Sequence, residues 1–317
     1  MSEIPRRLRI HAASLLARLA RCYPFDKGRR RLVWLMDSLL PAGDYPIEAR
    51  LAGGPARVRC SRRDLLALRL FTFGEDEPHL YKLLKLALSR STERQPVFVD
   101  VGANLGTLCI RLSRYLGCES VCFEPQPDLA KLLAENAAAN GVADKLRIHQ
   151  TALSEQAGET AFFINPDHLG EASIREIANS RKITVPVRRL DAMIAPEDWK
   201  RTAIVKVDVE GFEREVFLGA SGLFAICRPP IVFEVNQPAL AERKIAARDV
   251  ADALRCAGYT EFHALEKHLY PPRNGVYAIT NILAVTPEHA ALVNAYGFRG
   301  NFAAVPRRFV WSGPLEI

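Results

Sequence analysis

The chain has 317 residues, 49% of them apolar, with 43 Lys and Arg against 36 Asp and Glu for a formal charge of +7, an ordinary soluble composition long enough for one large domain or two unequal ones. No apolar run approaches the ~18 residues of a membrane span, and arginines break the N-terminal segment where a signal peptide would be continuous. The seven cysteines form no C-x-x-C pair or zinc spacing, so a cytoplasmic protein is expected, with Cys109, Cys122, Cys227 and Cys256 as buried thiols in a reducing compartment.

The charge is uneven. Residues 1–73 hold 15 Lys and Arg against 6 Asp and Glu, or +9, which leaves −2 for the remainder. Arg6, Arg7, Arg9, Arg18, Arg21 and the 27–31 cluster punctuate Leu8, Leu15, Leu16 and Leu19 at helical spacing, so residues 1 to about 40 read as helices. They form either a solvated amphipathic face packed on the core or a contact for an anionic acceptor, a membrane surface or an acidic partner. Nucleic acid is not expected, because no aromatic interleaving or binding motif accompanies the charge. Residues 41–55 read as a Pro/Gly loop, 57–73 as a short strand and turn ending at Gly74, and 80–88 as a helix. Residues 1–95 are thus expected to be a basic, mainly helical N-terminal extension with a short β segment.

At residues 97–110, VFVDVGANLGTLCI, an apolar run ends in an acid and passes through Gly102 and Gly106 into a helical pattern. This predicts a buried strand over 97–101, a glycine-bearing turn and a helix over 105–116. Glycine there lets backbone approach a ligand at the strand's C-terminal end. A dinucleotide fingerprint would place glycines where Asp100, Gly102 and Leu105 stand, and no Lys-Ser or Lys-Thr follows Gly106 as in a Walker loop. An acid at position 100 would repel a pyrophosphate, yet it suits a ligand carrying an ammonium and a sulfonium, as S-adenosylmethionine does.

A second strand over 120–124 puts Glu124 eighteen residues beyond Gly106, where a carboxylate accepts hydrogen bonds from ribose hydroxyls; Pro125 and Pro127 stop the strand. A helix over 127–139, ended by Asn140-Gly141, and a strand over 146–150 continue a doubly wound, parallel-sheet pattern. Between 160 and 190 two β-like segments, 160–164 and 182–187, flank a long polar loop in which Asn165, His168 and Ser173 are candidate substrate contacts.

Residues 203–220, AIVKVDVEGFEREVFLGA, place Lys206 and Asp208 two apart on one face of a buried strand. Such a pair is either structural or aims Asp208 into the cofactor crevice. Glu210-Gly211 would form the turn, and Glu213 would complement the following helix dipole. In PPIVFEVNQ, Glu234 and Asn236 share a face and point to the same edge. Asp208, Glu234 and Asn236 would orient a hydroxyl, supply a general base, or hold Mg²⁺, the last not favoured because no spacing demands a metal. Residues 259–265 and 276–285, joined by a turn at 271–275, supply a closing antiparallel hairpin that completes seven strands. Residues 96–286 would then be the main domain. The tail, 287–317, either docks on the core through Phe309 and Trp311 or makes homodimer contacts.

FVDVGANLG, FEPQP, the Asn-bearing helix, TALS, RRLDAMI, and KVDVEGFEREVFLGA with VFEVNQ, in series over residues 97–240, resemble the FkbM-type S-adenosylmethionine-dependent methyltransferases. CYPFDKGRRRLVW and LRLFTFGEDEPH resemble its N-terminal pieces more loosely. The resemblance implies a class I methyltransferase fold, a Rossmann-like doubly wound sheet with a helical N-terminal extension, and O-methylation of a hydroxyl on a sugar, glycan, glycolipid or secondary metabolite. By position, Asp100, Gly102, Ala103, Asn104 and Gly106 match the glycine loop, and Glu124 with Pro125 matches the ribose acid. Ala152 and Leu153, within Thr151 to Ser154, match the segment beside adenine. Asp208, Glu210 and Glu213 match the D-x-E-G-x-E signature, and Asp208 also borders the cofactor. Lys206, Asp208, Glu210 and Glu234 are the expected catalytic set, with Asp208 or Glu234 taking the acceptor proton and Lys206 setting that carboxylate's ionisation. A nicotinamide-dependent oxidoreductase would share the sheet and Glu124, but the chain lacks the third glycine and a Tyr-x-x-x-Lys pair suited to hydride chemistry; a catalytically idle scaffold would need neither Asp208 nor Glu234.

Overall fold

The computed structural model describes residues 5–22, 28–43, 45–62, 64–165, 180–265 and 279–298. His168, Ser173, the 271–275 turn, Phe309 and Trp311 lie outside them. Helices α1 (Arg6–Ala20) and α2 (Arg29–Leu39) precede a hairpin of β1 (Pro46–Arg50) and β2 (Arg57–Ser61), then α3 (Leu65–Phe73) and α4 (Pro78–Arg90). Two expectations change here. The segment 41–55 contains a strand, because Ile47 and Ala49 turn inward opposite Cys60 and Val58. Residues 65–73 are a helix: Asp64 accepts the Leu66 N–H at 2.9 Å as N-cap, and Gly74 closes it at φ 78°. LLALRLFTF is apolar nearly throughout, so its periodicity does not separate a buried helix from a strand.

The packing face of α1 also differs from expectation. Ala13, Ala17 and Ala20 are buried, while Leu8, Leu15 and Leu19 are exposed and Leu16 is half-buried. Small side chains let α1 lie against α3.

From β3 (Val97–Val101) the alternation follows the expected order through α5 (Thr107–Leu116), β4 (Glu119–Phe123), α6 (Pro127–Ala139) and β5 (Leu146–His149). Asn136 on α6 and Asn140 at its C-cap, one turn apart, each exchange two hydrogen bonds with the backbone of β2, at Arg59 and Arg57, over 2.6–3.1 Å. Their amides imitate a neighbouring strand and close the hairpin's free edge. Next, β6 (Ala152–Leu153), β7 (Gly158–Ile164) and β8 (Arg181–Arg188) form a small sheet of their own in the order β6-β8-β7. The chain then runs through α7 (Leu190–Met193), α8 (Pro196–Trp199), β9 (Thr202–Val207), α9 (Glu213–Leu218), α10 (Ser221–Cys227), β10 (Ile231–Asn236), α11 (Gln237–Glu242), α12 (Ala247–Arg255), β11 (Glu261–Ala264), β12 (Ile279–Val285) and α13 (Ala290–Tyr296).

The main sheet has seven strands in the order β11-β12-β10-β9-β3-β4-β5, with β12 antiparallel to both neighbours. This is the class I methyltransferase arrangement that the resemblance implies. Both faces are covered, which is why the strands read as continuous apolar runs. Phe98, Cys122, Ile204, Val232 and Leu283 pack on the side of α4, α5 and α6, whereas Val97, Val99, Val205 and Val207 meet α9, α10 and α12. Cys109 and Cys122 are buried thiols as expected, Cys227 is half-buried and Cys256 is exposed. No helix of the described residues is long and apolar enough to cross a membrane.

The order reverses between β3 and β9. Leaving β3, the chain moves outward through β4 and β5, then returns to β9 on the other side, so the C-terminal ends of β3 and β9 border a crevice.

Candidate functional site

The glycine turn closes this crevice on one side. Gly102 and Ala103 donate their N–H groups to the Phe123 carbonyl at 3.0 Å, and Asp208 N–H reaches the Val101 carbonyl at 3.0 Å. At Gly102, φ is 80° and a Cβ would stand 1.9 Å from the Asp208 carbonyl oxygen, so two strand ends meet here only because the residue has no side chain. Beside the turn lies a cavity of about 430 Å³, within the ~300–1,000 Å³ usual for cofactor pockets. Its walls include Asp100, Gly102, Ala103, Asn104, Glu124, Pro125, Ala152, Leu153, Asp208 and Glu210. Gly106 stands behind the wall as N-cap of α5, where a Cβ would meet Leu133 at 1.8 Å.

Glu124 sits one residue past β4 and is buried. Its Oε2 accepts the Asn104 N–H and its Oε1 the Gln126 N–H, each at 2.9 Å. Burial nevertheless pushes its carboxyl up to about 7. Gln126 is the residue that sequence reasoning passed over. It is 0% exposed, lines the cavity, and neither its side-chain nitrogen nor its oxygen has a hydrogen-bond partner. The signal was present in FEPQP, where an amide follows the ribose-type acid by two residues.

A charged cluster forms the floor. The β3–β9 register sets Asp100 beside Lys206, whose ammonium donates to the Gly102 carbonyl at 2.9 Å and stands 3.5 Å from Asp100 Oδ1 and 3.2 Å from Asp208 Oδ2. The acid at position 100 is thus met by the protein's own Lys206 ammonium, where the sequence had suggested a ligand's, and its other oxygen accepts the Cys109 thiol at 2.9 Å. Burial raises the Asp100 carboxyl, against the pull of Lys206. Burial alone would lower the Lys206 ammonium, but Asp208, Asp100 and Glu77 outweigh it and hold it above its ordinary value.

Asp208, Glu210 and Glu234 bring carboxylate oxygens within 4.8 Å of one another. Asn236 joins them differently from expectation: its amide nitrogen donates to Glu210 Oε2 at 3.0 Å and its oxygen accepts the Ala239 N–H at 3.2 Å, capping α11. Burial, then repulsion from Asp208, Glu210 and Glu77, pushes Glu234 up to about 10. Glu77, from the start of α4, was also missed. It accepts from Asn281 at 2.7 Å, and burial followed by Asp208 pushes it up to about 7. The acid run before Pro78 was its only mark in the sequence. Glu213 does more than complement a dipole: its Oε1 accepts the Val209 and Gly211 N–H groups at 3.2 and 3.1 Å and so shapes the turn that carries Glu210.

The methyltransferase FkbM domain profile matches residues 100–263, just over half of the chain, from the end of β3 into β11. The chain belongs to this family. It is 31% identical over 134 residues to the hexuronic acid methyltransferase AglP of Haloferax volcanii, a match covering 42% of this chain and 53% of that protein. It is 28% identical over 207 residues to the 2-O-methyltransferase NoeI of Sinorhizobium fredii, covering 59% and 83%. With the methyltransferase sdnD of Sordaria araneosa the identity is 27% over 155 residues, covering 39% and 60%. The chain thus spans about half of AglP and three-fifths of sdnD. An FkbM methyltransferase structure from Methylobacillus flagellatus KT aligns with a TM-score of 0.42 at 15% identity, over 70% of this chain and 53% of that one.

Proposed function

We propose that the protein is an S-adenosylmethionine-dependent O-methyltransferase acting on a hydroxyl of a sugar, glycan or secondary metabolite. The observation that carries this is the crevice itself, where the Gly102 turn, Glu124 and Asp208 from three strand ends meet around one cavity. Family membership supports it, as do the names of AglP and NoeI. The residues present fit the cofactor: a glycine turn with no room for a side chain, a carboxylate at the ribose position, and an orphaned buried amide on Gln126. When bound, S-adenosylmethionine supplies an electrophilic methyl group, and the chain's task is to hold an acceptor oxygen in line with it and keep water out.

Asp208 is the carboxylate we assign to that oxygen. It lines the cavity, its side chain is 31% exposed, and Lys206 holds one of its oxygens in place. In this assignment it orients the acceptor hydroxyl and takes its proton. Glu234, pushed up to about 10 by burial and its acidic neighbours, does not compete with Asp208 as a base near neutrality. Asp208→Asn is expected to lower turnover by about 10²–10⁴-fold with cofactor affinity nearly unchanged. Unchanged turnover in a methyl-transfer assay would remove Asp208 from the mechanism.

Carboxyl groups line the cavity, and the arginines among its described lining residues are engaged. Arg69 pairs with Asp76 at 2.8 Å, and Arg111 stacks on Tyr81 at 3.5 Å with Glu75 at 3.7 Å. This favours a neutral polyol over a uronic acid, whose carboxylate would meet Asp208 and Glu210. Labelled methyl transfer to paired hexosides and hexuronides tests the preference; faster transfer to the hexuronides contradicts it.

Gln126→Leu keeps the volume and removes both orphaned atoms. It is expected to weaken S-adenosylhomocysteine binding about tenfold, while the free protein becomes more stable to heat. Unaltered affinity by calorimetry would mean that the amide does not contact the ligand.

A further inference from the structure

Helix α1 is inverted with respect to a helix that only packs on a core. Its buried row consists of alanines, Ala13, Ala17 and Ala20, flanked by half-buried Ile10 and Leu16, while Leu8, Leu15 and Leu19 are 59, 57 and 66% exposed. Around a 3.6-residue helix these leucines fall within about 40° of one another, opposite the alanines. Arg7, His11 and Arg18 form the adjacent exposed row. On α2, Trp34 is 69% and Leu35 39% exposed, beside exposed Arg31. Among the described residues, the only other exposed large hydrophobics are Ile226 and Ile279. Single exposed apolar residues are ordinary; a row of them edged with arginine marks a contact.

We infer that the outward face of α1 docks on an anionic lipid surface, with Leu8, Leu15 and Leu19 entering the boundary between headgroups and acyl chains and Arg7 and Arg18 meeting lipid phosphates. Charge complementarity selects the partner: residues 1–73 carry +9 and the rest of the chain −2, so the attraction is confined to the part that bears the apolar row. A leaflet offers anionic groups and apolar depth side by side along the whole row. Helix α1 packs on α3, whose Leu66, Arg69 and Leu70 line the cavity. Docking therefore holds the site one helix layer from the lipid. The inference does not depend on the methyl-transfer assignment.

The full chain is sedimented with vesicles of phosphatidylcholine alone and of phosphatidylcholine containing phosphatidylglycerol, at low and raised salt. Binding about tenfold stronger to the anionic vesicles is expected, and it falls as salt rises. The triple variant Leu8→Gln, Leu15→Gln, Leu19→Gln should lose about tenfold or more of that binding, and Arg7→Gln with Arg18→Gln should flatten the salt dependence. All five side chains are exposed, so circular dichroism and thermal unfolding should match the parent protein. No recovery with anionic vesicles, equal recovery with neutral ones, or undiminished binding of the leucine variant overturns the inference. So does a parent chain that is a dimer in lipid-free buffer and becomes monomeric in that variant, which would make the face an interface between copies.

Discussion

Gly102→Ala is expected to destabilise the protein by about 2–4 kcal/mol and to abolish S-adenosylhomocysteine binding. The residue has φ 80°, and the added methyl would collide with backbone, the Asp208 carbonyl oxygen 1.9 Å away. A backbone carbonyl cannot rotate aside as a side chain can. Relief requires moving the end of β9 away from the end of β3, which opens the crevice. Gly141 separates the two components of this effect: its φ is 66° but nothing lies within 4 Å, so Gly141→Ala should cost only the left-handed backbone preference, about 1 kcal/mol. Gly106→Ala should fall between them, because its obstacle is the movable end of Leu133. Urea denaturation of the three variants, with calorimetry on each, gives the order directly. A Gly102 variant as stable as the Gly141 one would show that β3 and β9 do not meet as described.

Lys206→Met is expected to cost about 3–5 kcal/mol, the range for removing one partner of a buried ion pair. The ammonium is the cation beside buried Asp100, and it also donates to the Gly102 carbonyl, so its loss strands a carboxylate and loosens the glycine turn together. The pH dependence follows in sign. Burial already raises Asp100 in the folded state, and without Lys206 it rises further. A carboxyl raised above its unfolded value favours the native state at low pH, and that advantage is lost as pH rises through the folded value. The variant should therefore lose more stability at about pH 8 than at about pH 5. Adding Asp100→Asn should restore part of the loss; strict additivity in urea denaturation would mean the two residues do not interact.

The sequence carried the elements whose signals are local. An apolar run ending in Asp100 and two spaced glycines define a strand and its turn whatever the rest of the chain does, and Glu124 follows at the interval a βαβ unit requires. KVDVEG placed a charged pair on a buried strand, and the β3–β9 register explains how it is tolerated, since Asp100 lies opposite Lys206. What stayed hidden depends on contacts between distant segments. Glu77 reaches the site only because α4 packs on β9 and its N-cap meets Asn281 of β12, which lies opposite Glu234, and no spacing within either segment announces that. Asn136 appears as a polar interruption in a helix and Asn140 as its stop until β2 is laid against them. The outward leucines of α1 have the same period as inward ones would, so periodicity found the stripe but not the direction in which it faces.

As we propose it, the crevice between β3 and β9 is built for S-adenosylmethionine and not for a dinucleotide. Isothermal titration calorimetry of the full chain with S-adenosylhomocysteine and, separately, with NAD tests it most directly. Saturable heat with S-adenosylhomocysteine, lost in Gly102→Ala, and none with NAD is the predicted result. Saturable heat with NAD and none with S-adenosylhomocysteine would contradict it.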